Sequence, residues 1–317
     1  MINEGTALAM PVVMDRSVPV RGLLQLFASV ILLSSAWPLT KVAIAAGSTP
    51  LWFAGGRAVL SGLTAFLLLA AMGRVRLPGR ADWPTVLAVG GLQLGAYFAL
   101  AHEAIAWVPA GRTTILANTT TIWVVPLSLL VLREQIPTRR WLAAGMGLAG
   151  VLVLVNPLAI DWSSRNTVVG HAFLLGAALA WSVAIVVTRG TRPSMSMFAL
   201  LPWCFLLGSL VLAPMVWWHA PAGTLGTRPL SWWILAYIGL IAGPFGTGFV
   251  MQATASLPAL VSSVGFLTTP AVSLILANLL LGEPITLDLL CGSALIMAGV
   301  GCAVWPRRGR GRGWGRS

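Results

Sequence analysis

Apolar residues in this chain do not alternate with polar ones at the spacing of a strand or of a half-buried helix. They run in blocks of about 20, the length of helix that crosses the hydrocarbon of a bilayer. Such blocks fall at 22–46, 50–72, 83–102, 109–132, 139–156, 167–189, 194–218, 230–250, 258–281 and 285–305, with short connections between them. In lipid only a helix satisfies its own backbone hydrogen bonds over an uninterrupted span, so the pattern predicts an all-α integral membrane protein of ten transmembrane helices. Residues 1–21 form an N-terminal segment before the spans, and 306–317 a basic tail after them.

The pattern also repeats. Glu103 to Ala110 aligns without a gap on Gln252 to Ala259, and the register continues through Thr120 on Thr269, Leu132 on Leu281, Glu134 on Glu283 and Gly150 on Gly299. Charged and apolar positions stay aligned together, which points to two homologous units, 22–156 and 167–305. Five spans in each unit is an odd number, so the two units enter the membrane in opposite senses. Inverted repeats of this kind place a substrate site between the halves and hold two nearly equivalent conformations, each open to one side.

Composition changes the picture only by closing off other solvents: 57% apolar residues, 9% charged residues and a mean hydropathy of +0.88 exclude a soluble surface. The net charge of +12 has a topological meaning. With the N-terminus inside, only Arg165 and Arg228 fall on the translocated side, Lys41, Arg57 and Arg112 fall within or at the ends of spans, and every other arginine is cytoplasmic. Both termini are therefore expected in the cytoplasm, with the Arg-Gly tail on anionic lipid headgroups rather than on nucleic acid. A cleavable signal peptide ending near Ala45 is a competing reading, but its removal would take away the first helix of a repeat that needs all five. Cys204, Cys291 and Cys302 have no metal-ligand spacing, and no phosphate loop, His-Glu-x-x-His run or paired intramembrane carboxylate supports an enzyme. No cofactor or metal is expected, and the chain is read as a monomer.

Several motifs carry a resemblance. The first span reads Leu33-Ser34-Ser35-Ala36-Trp37-Pro38-Leu39-Thr40-Lys41, the sixth has Ala180-Trp181-Ser182, and the fourth and ninth end in Leu132-Arg133-Glu134 and Leu281-Gly282-Glu283. In these features the chain resembles the EamA family of the drug/metabolite transporter superfamily. The resemblance implies a basket of two inverted five-helix units around a central cavity, exporting amino acids or other small metabolites from bacteria across the inner membrane. One departure stands out: the Thr-Pro pair kept at Thr269-Pro270 is Thr120-Thr121 in the fourth span, with the proline displaced to Pro126.

Candidate site residues follow from polar groups in apolar surroundings. Lys41, the sole lysine, sits inside a span, where a cation costs about 2.5 to 3.5 kcal/mol by insertion scales. It is either a snorkelling ammonium or part of an outer gate with Glu283, mirrored inside by Arg189 with Glu134. Arg57 has Phe205 at the matching place in the second unit, and it either grips a substrate carboxylate or holds helix-end carbonyls. Thr114, Asn118 and Thr121 beside Thr120, and Ser262, Thr269 and Ser273, lie at helical spacing on faces expected to look inward. Gln93 and Tyr97 share a face of the third span, and Trp37, Trp123 and Trp181 are candidate aromatic walls. No acid lies clearly at mid-membrane, so a proton relay is not visible. A channel or lipid-handling protein is the rival reading, and saturable flux separates it from a carrier.

Overall fold

The computed structural model describes residues 19–117, 119–133, 138–155, 163–257, 261, 265–266 and 268–304. Glu134, Asn118 and Ser262 lie outside the described residues. Everything assigned to regular structure is helical: α1 (Val20–Ala45), α2 (Pro50–Ala71), α3 (Trp83–Trp107), α4 (Ala110–Ala117), α5 (Thr120–Leu132), α6 (Thr138–Val155), α7 (Arg165–Gly190), α8 (Met197–His219), α9 (229–256), α10 (Thr269–Leu281) and α11 (Leu287–Val304). Six of these, α1, α2, α3, α7, α8 and α9 as far as Val250, are long and apolar enough to cross a membrane. The molecule is a multi-pass membrane protein.

Local chemistry sets the helix limits. Pro50, Pro84 and Pro229 occupy first-turn positions, where a missing N–H removes nothing. Pro126 lies inside α5, and Ala110–Val124 meets Pro126–Leu132 at 41°, as expected where a ring deletes one hydrogen bond of the helix. At the ends of α5 and α10 the two units solve one problem with different residues. Gly282 takes a left-handed turn at φ 67°, while Arg133, at the matching position, takes φ 51° without the freedom of glycine.

Packing between the units is reciprocal. α3 of the first unit lies along α8 of the second, and α9 of the second lies along α2 of the first; likewise α1 packs on α10 and α7 on α5. α6 and α11 form the most extensive pair. Their crossing is close because Gly150 faces the Gly292 carbonyl and Gly299 faces the Ala143 carbonyl; a Cβ would approach these oxygens to 2.7 and 2.8 Å. Both α3 and α9 widen into π-helical turns, at Leu87–Ala96 and Tyr237–Ala242. There Gly90 and Gly239 bring the backbone against α8 and α2 respectively.

Hairpin loops of one unit are clipped to loops of the other. At one end Thr49 N–H donates to the Thr224 carbonyl at 2.9 Å and Ser48 Oγ to the Leu225 carbonyl at 2.6 Å. At the opposite end, the buried Asp82 carboxylate accepts from Gly79 N–H, Ser194 N–H, Ser194 Oγ and Met195 N–H at 2.6–3.0 Å. Burial alone would raise the Asp82 pKa, but these four donors outweigh it and hold the carboxyl below the ordinary carboxylate range.

Candidate functional site

Where α1, α2, α3, α5, α7, α8, α9, α10 and α11 face one another they leave a cavity of about 500 Å³. This is within the range of small-molecule sites. Of the residues expected from sequence to line a site, Trp37, Arg57, Tyr97, Thr120, Trp181 and Thr269 are brought together on its wall. Thr247 and the apolar Leu33, Leu94, Phe98, Phe205 and Phe266 join them without having been expected.

Arg57 is the only charged side chain among these lining residues. It sits near the start of α2, is 7% exposed, and its guanidinium lies 4.5 Å over the face of Phe98. Its Nη1 is 3.4 Å from His102 Nε2, and its Nε is buried with no partner among the described residues. His102 is itself fully buried, with Nδ1 2.7 Å from the Phe98 carbonyl. That bond requires Nδ1 to carry the proton, which leaves Nε2 as the acceptor facing Arg57. Neither ion pair found among the described residues includes Arg57. Among the described residues the guanidinium is therefore neutralised by no carboxylate, although a buried charge ordinarily has a counter-ion.

The aromatic wall is ordered by its own contacts. Tyr97 stands edge-on to Trp37, with centroids 6.0 Å apart at 71°, and 4.8 Å from Trp181. Thr120 and Thr269 are approached through their backbones in matching places: Ser34 Oγ donates to the Thr269 carbonyl at 3.0 Å, and Ser182 Oγ shares its proton between the Ala178 carbonyl of its own helix at 2.6 Å and the Thr120 carbonyl at 3.2 Å. The bonds to Thr269 and Thr120 cross from one unit to the other.

Other expected residues lie elsewhere. Gln93 is half-buried but not among the described lining residues; the wall instead takes Leu94, Tyr97 and Phe98, at i, i+3 and i+4 on one face of α3. Thr114 and Ser273 do not face the cavity as expected; their hydroxyls bond each other at 2.9 Å, fastening α4 to α10. Trp123 is likewise not on the wall. Arg189 is exposed in the last turn of α7.

A polar cluster lies where the end of α1 meets the start of α4 and the turn before α11. Glu283 accepts from Ala110 N–H at 2.8 Å and Gly111 N–H at 3.0 Å, so a carboxylate sits on the positive end of α4. Lys41 Nζ lies 3.7 Å from Glu283 Oε1 and donates to the Val108 carbonyl at 2.6 Å. Arg112 and Asp288 pair alongside at 2.6 Å.

The model of the EamA-like transporter family matches residues 20–156 and again 168–305. The chain belongs to the EamA-like transporter family. Among similar proteins, the uncharacterized transporter YvbV of Bacillus subtilis (strain 168) is 26% identical over 83% of this chain and 85% of its own length. The uncharacterized transporter YdfC of the same organism is 26% identical over 84% and 85%. A protein of known crystal structure, 20% identical, matches 90% of this chain and 99% of its own with a TM-score of 0.63, a likeness of fold. The two family matches agree with the repeat seen in the sequence and make the protein a membrane transporter.

Proposed function

We propose that this EamA transporter exports small metabolites that carry a carboxylate, a class that includes amino acids, across the inner membrane of a bacterium by alternating access. The reading takes the chain as ten spans in two inverted sets of five, with both termini in the cytoplasm. One observation carries the choice of substrate: Arg57 reaches the cavity wall as a guanidinium without a carboxylate partner among the described residues, and a solute carboxylate supplies the missing charge with two parallel hydrogen bonds. Trp37, Tyr97 and Trp181 enclose the solute's body, and Thr120, Thr247 and Thr269 offer hydroxyls to its polar groups.

In this reading the Lys41–Glu283 cluster is a latch that closes its own end of the bundle and parts when that end opens, while Arg189 with Glu134 serves the other end. The apolar bulk of the cavity wall favours one second reading, a drug-type solute held by aromatic contact alone.

The test is uptake into proteoliposomes of labelled amino acids and organic acids, with unlabelled solute as competitor. Saturable flux that is lost in Arg57→Gln supports the carboxylate reading. Saturable flux of uncharged solutes, unchanged in Arg57→Gln, supports the drug-type reading, and non-saturable flux supports a channel.

A further inference from the structure

We infer that the cavity selects its solute by total charge and takes monocarboxylate anions in preference to zwitterionic amino acids of the same shape. The inference rests on the carboxylate reading above and narrows it.

In a site of low polarity the net charge of the loaded cavity governs which solute it holds. Arg57 brings one positive charge, and among the described residues no acidic side chain lines the cavity to balance it. Of the described acids off the wall, Glu283 is engaged with Lys41 and the start of α4, Asp288 with Arg112 and Asp82 with the 194–195 loop, while Glu103 sits half-buried on α3 beside His102, outside the cavity lining. A monoanion makes the loaded site neutral. A zwitterion leaves it with the same net charge as the empty one and adds an ammonium within a few ångströms of the guanidinium.

That ammonium also lacks a good place to sit. The face of Phe98 is occupied by Arg57, and Trp37, Tyr97 and Trp181 are packed edge-to-face or tilted against one another. Three threonines supply hydroxyls, which replace the hydration of an ammonium poorly without a charged acceptor. Opposite Arg57 the matching position is Phe205, so the second unit offers apolar surface where the first offers charge. The ligand that fits both walls is an acid with one carboxylate and an uncharged, apolar body.

The test uses ligands that share one body and differ in charge, so it needs no variant to fold. 3-Phenylpropanoate, phenylalanine, 2-phenylethylamine and 3-phenylpropanamide are titrated at about pH 7 onto the full-length protein in nanodiscs, with 4-methylpentanoate and leucine as a second pair. Binding is read by calorimetry and by the shift in thermal unfolding. The expected result is that each acid binds at least about tenfold more tightly than its amino acid, that the amine and amide bind more weakly still, and that Arg57→Gln removes the preference. An amino acid binding as tightly as its acid overturns the inference and leaves the carboxylate reading standing. Tightest binding by the amide or amine, or no binding by either acid at about 10 mM, overturns both.

Discussion

If the contacts of Glu283 exist only while their end of the bundle is closed, Glu283→Ala should open that end, and the structure sets how far. The carboxylate accepts two backbone N–H bonds from Ala110 and Gly111 and faces Lys41 at 3.7 Å. Bonds to a charged acceptor are each worth about 1.5 to 3 kcal/mol. The site retains some solvent, with side-chain exposures of 24% for Lys41 and 16% for Glu283, so water recovers part of that sum and screens the ion pair. A net loss of about 2 to 4 kcal/mol is a fair bracket, and it multiplies the open-to-closed ratio by about 30 to 700. The assay is labelling of Thr269→Cys, on the cavity wall, by a membrane-impermeant thiol reagent applied from the Lys41 side, with the three native cysteines replaced by serine. Glu283→Gln keeps an acceptor and loses the charge, so its rate should fall between wild type and Glu283→Ala. Labelling rates within about twofold of wild type in both Glu283→Ala and Lys41→Ala would refute the latch.

Other perturbations have equally definite outcomes. Arg57→Lys should raise the KM for a carboxylated solute by about ten- to a hundredfold with little change in yield, since a point charge cannot reproduce the paired bonds; a change in yield alone would assign the residue to folding. His102→Phe removes the acceptor at Arg57 Nη1 and should raise KM more than it lowers the maximal rate, which transport kinetics will separate. Arg133→Gly should raise thermal stability by about 0.5 to 1 kcal/mol, because it relieves the left-handed turn at φ 51°. The folded-state pKa of Asp82 is depressed, so its stabilisation is complete above the ordinary carboxylate value of 3.8 and is lost as pH falls through the lower folded value. Melting scans should therefore show Asp82→Asn less stable than wild type near neutrality, with the difference shrinking as the pH is taken below about 4.

Much of the architecture was legible because hydropathy reports directly on the solvent. The blocks at 22–46, 50–72 and 167–189 correspond to α1, α2 and α7, within a few residues at each end. The third block, expected to stop at 102, continues as helix to Trp107, since His102 and Glu103 sit within helix and do not mark its end. Arg57, Trp37, Tyr97, Trp181, Thr120 and Thr269 could be nominated as polar or aromatic groups in apolar runs. Gln93 was not separable from Leu94 by spacing, because Tyr97 shares a helical face with both, at i+4 and i+3, and polarity alone pointed to the glutamine. The pairing of His102 with Arg57 left no mark in the sequence, because the two come from different helices, 45 positions apart. Asp82 drew no notice as a single loop acid, and only the approach of Ser194 and Met195 gives it a task.

The bonds from Ser34 to Thr269 and from Ser182 to Thr120 make each half of the chain the missing wall of the other. Neither half closes on itself. A half expressed alone should leave α1 or α7 without its seat and be degraded, whereas the two halves made as separate chains in one membrane should find each other and restore flux. The covalent link between them then contributes proximity rather than structure, and the working unit is in effect a dimer whose two subunits happen to be encoded in one reading frame.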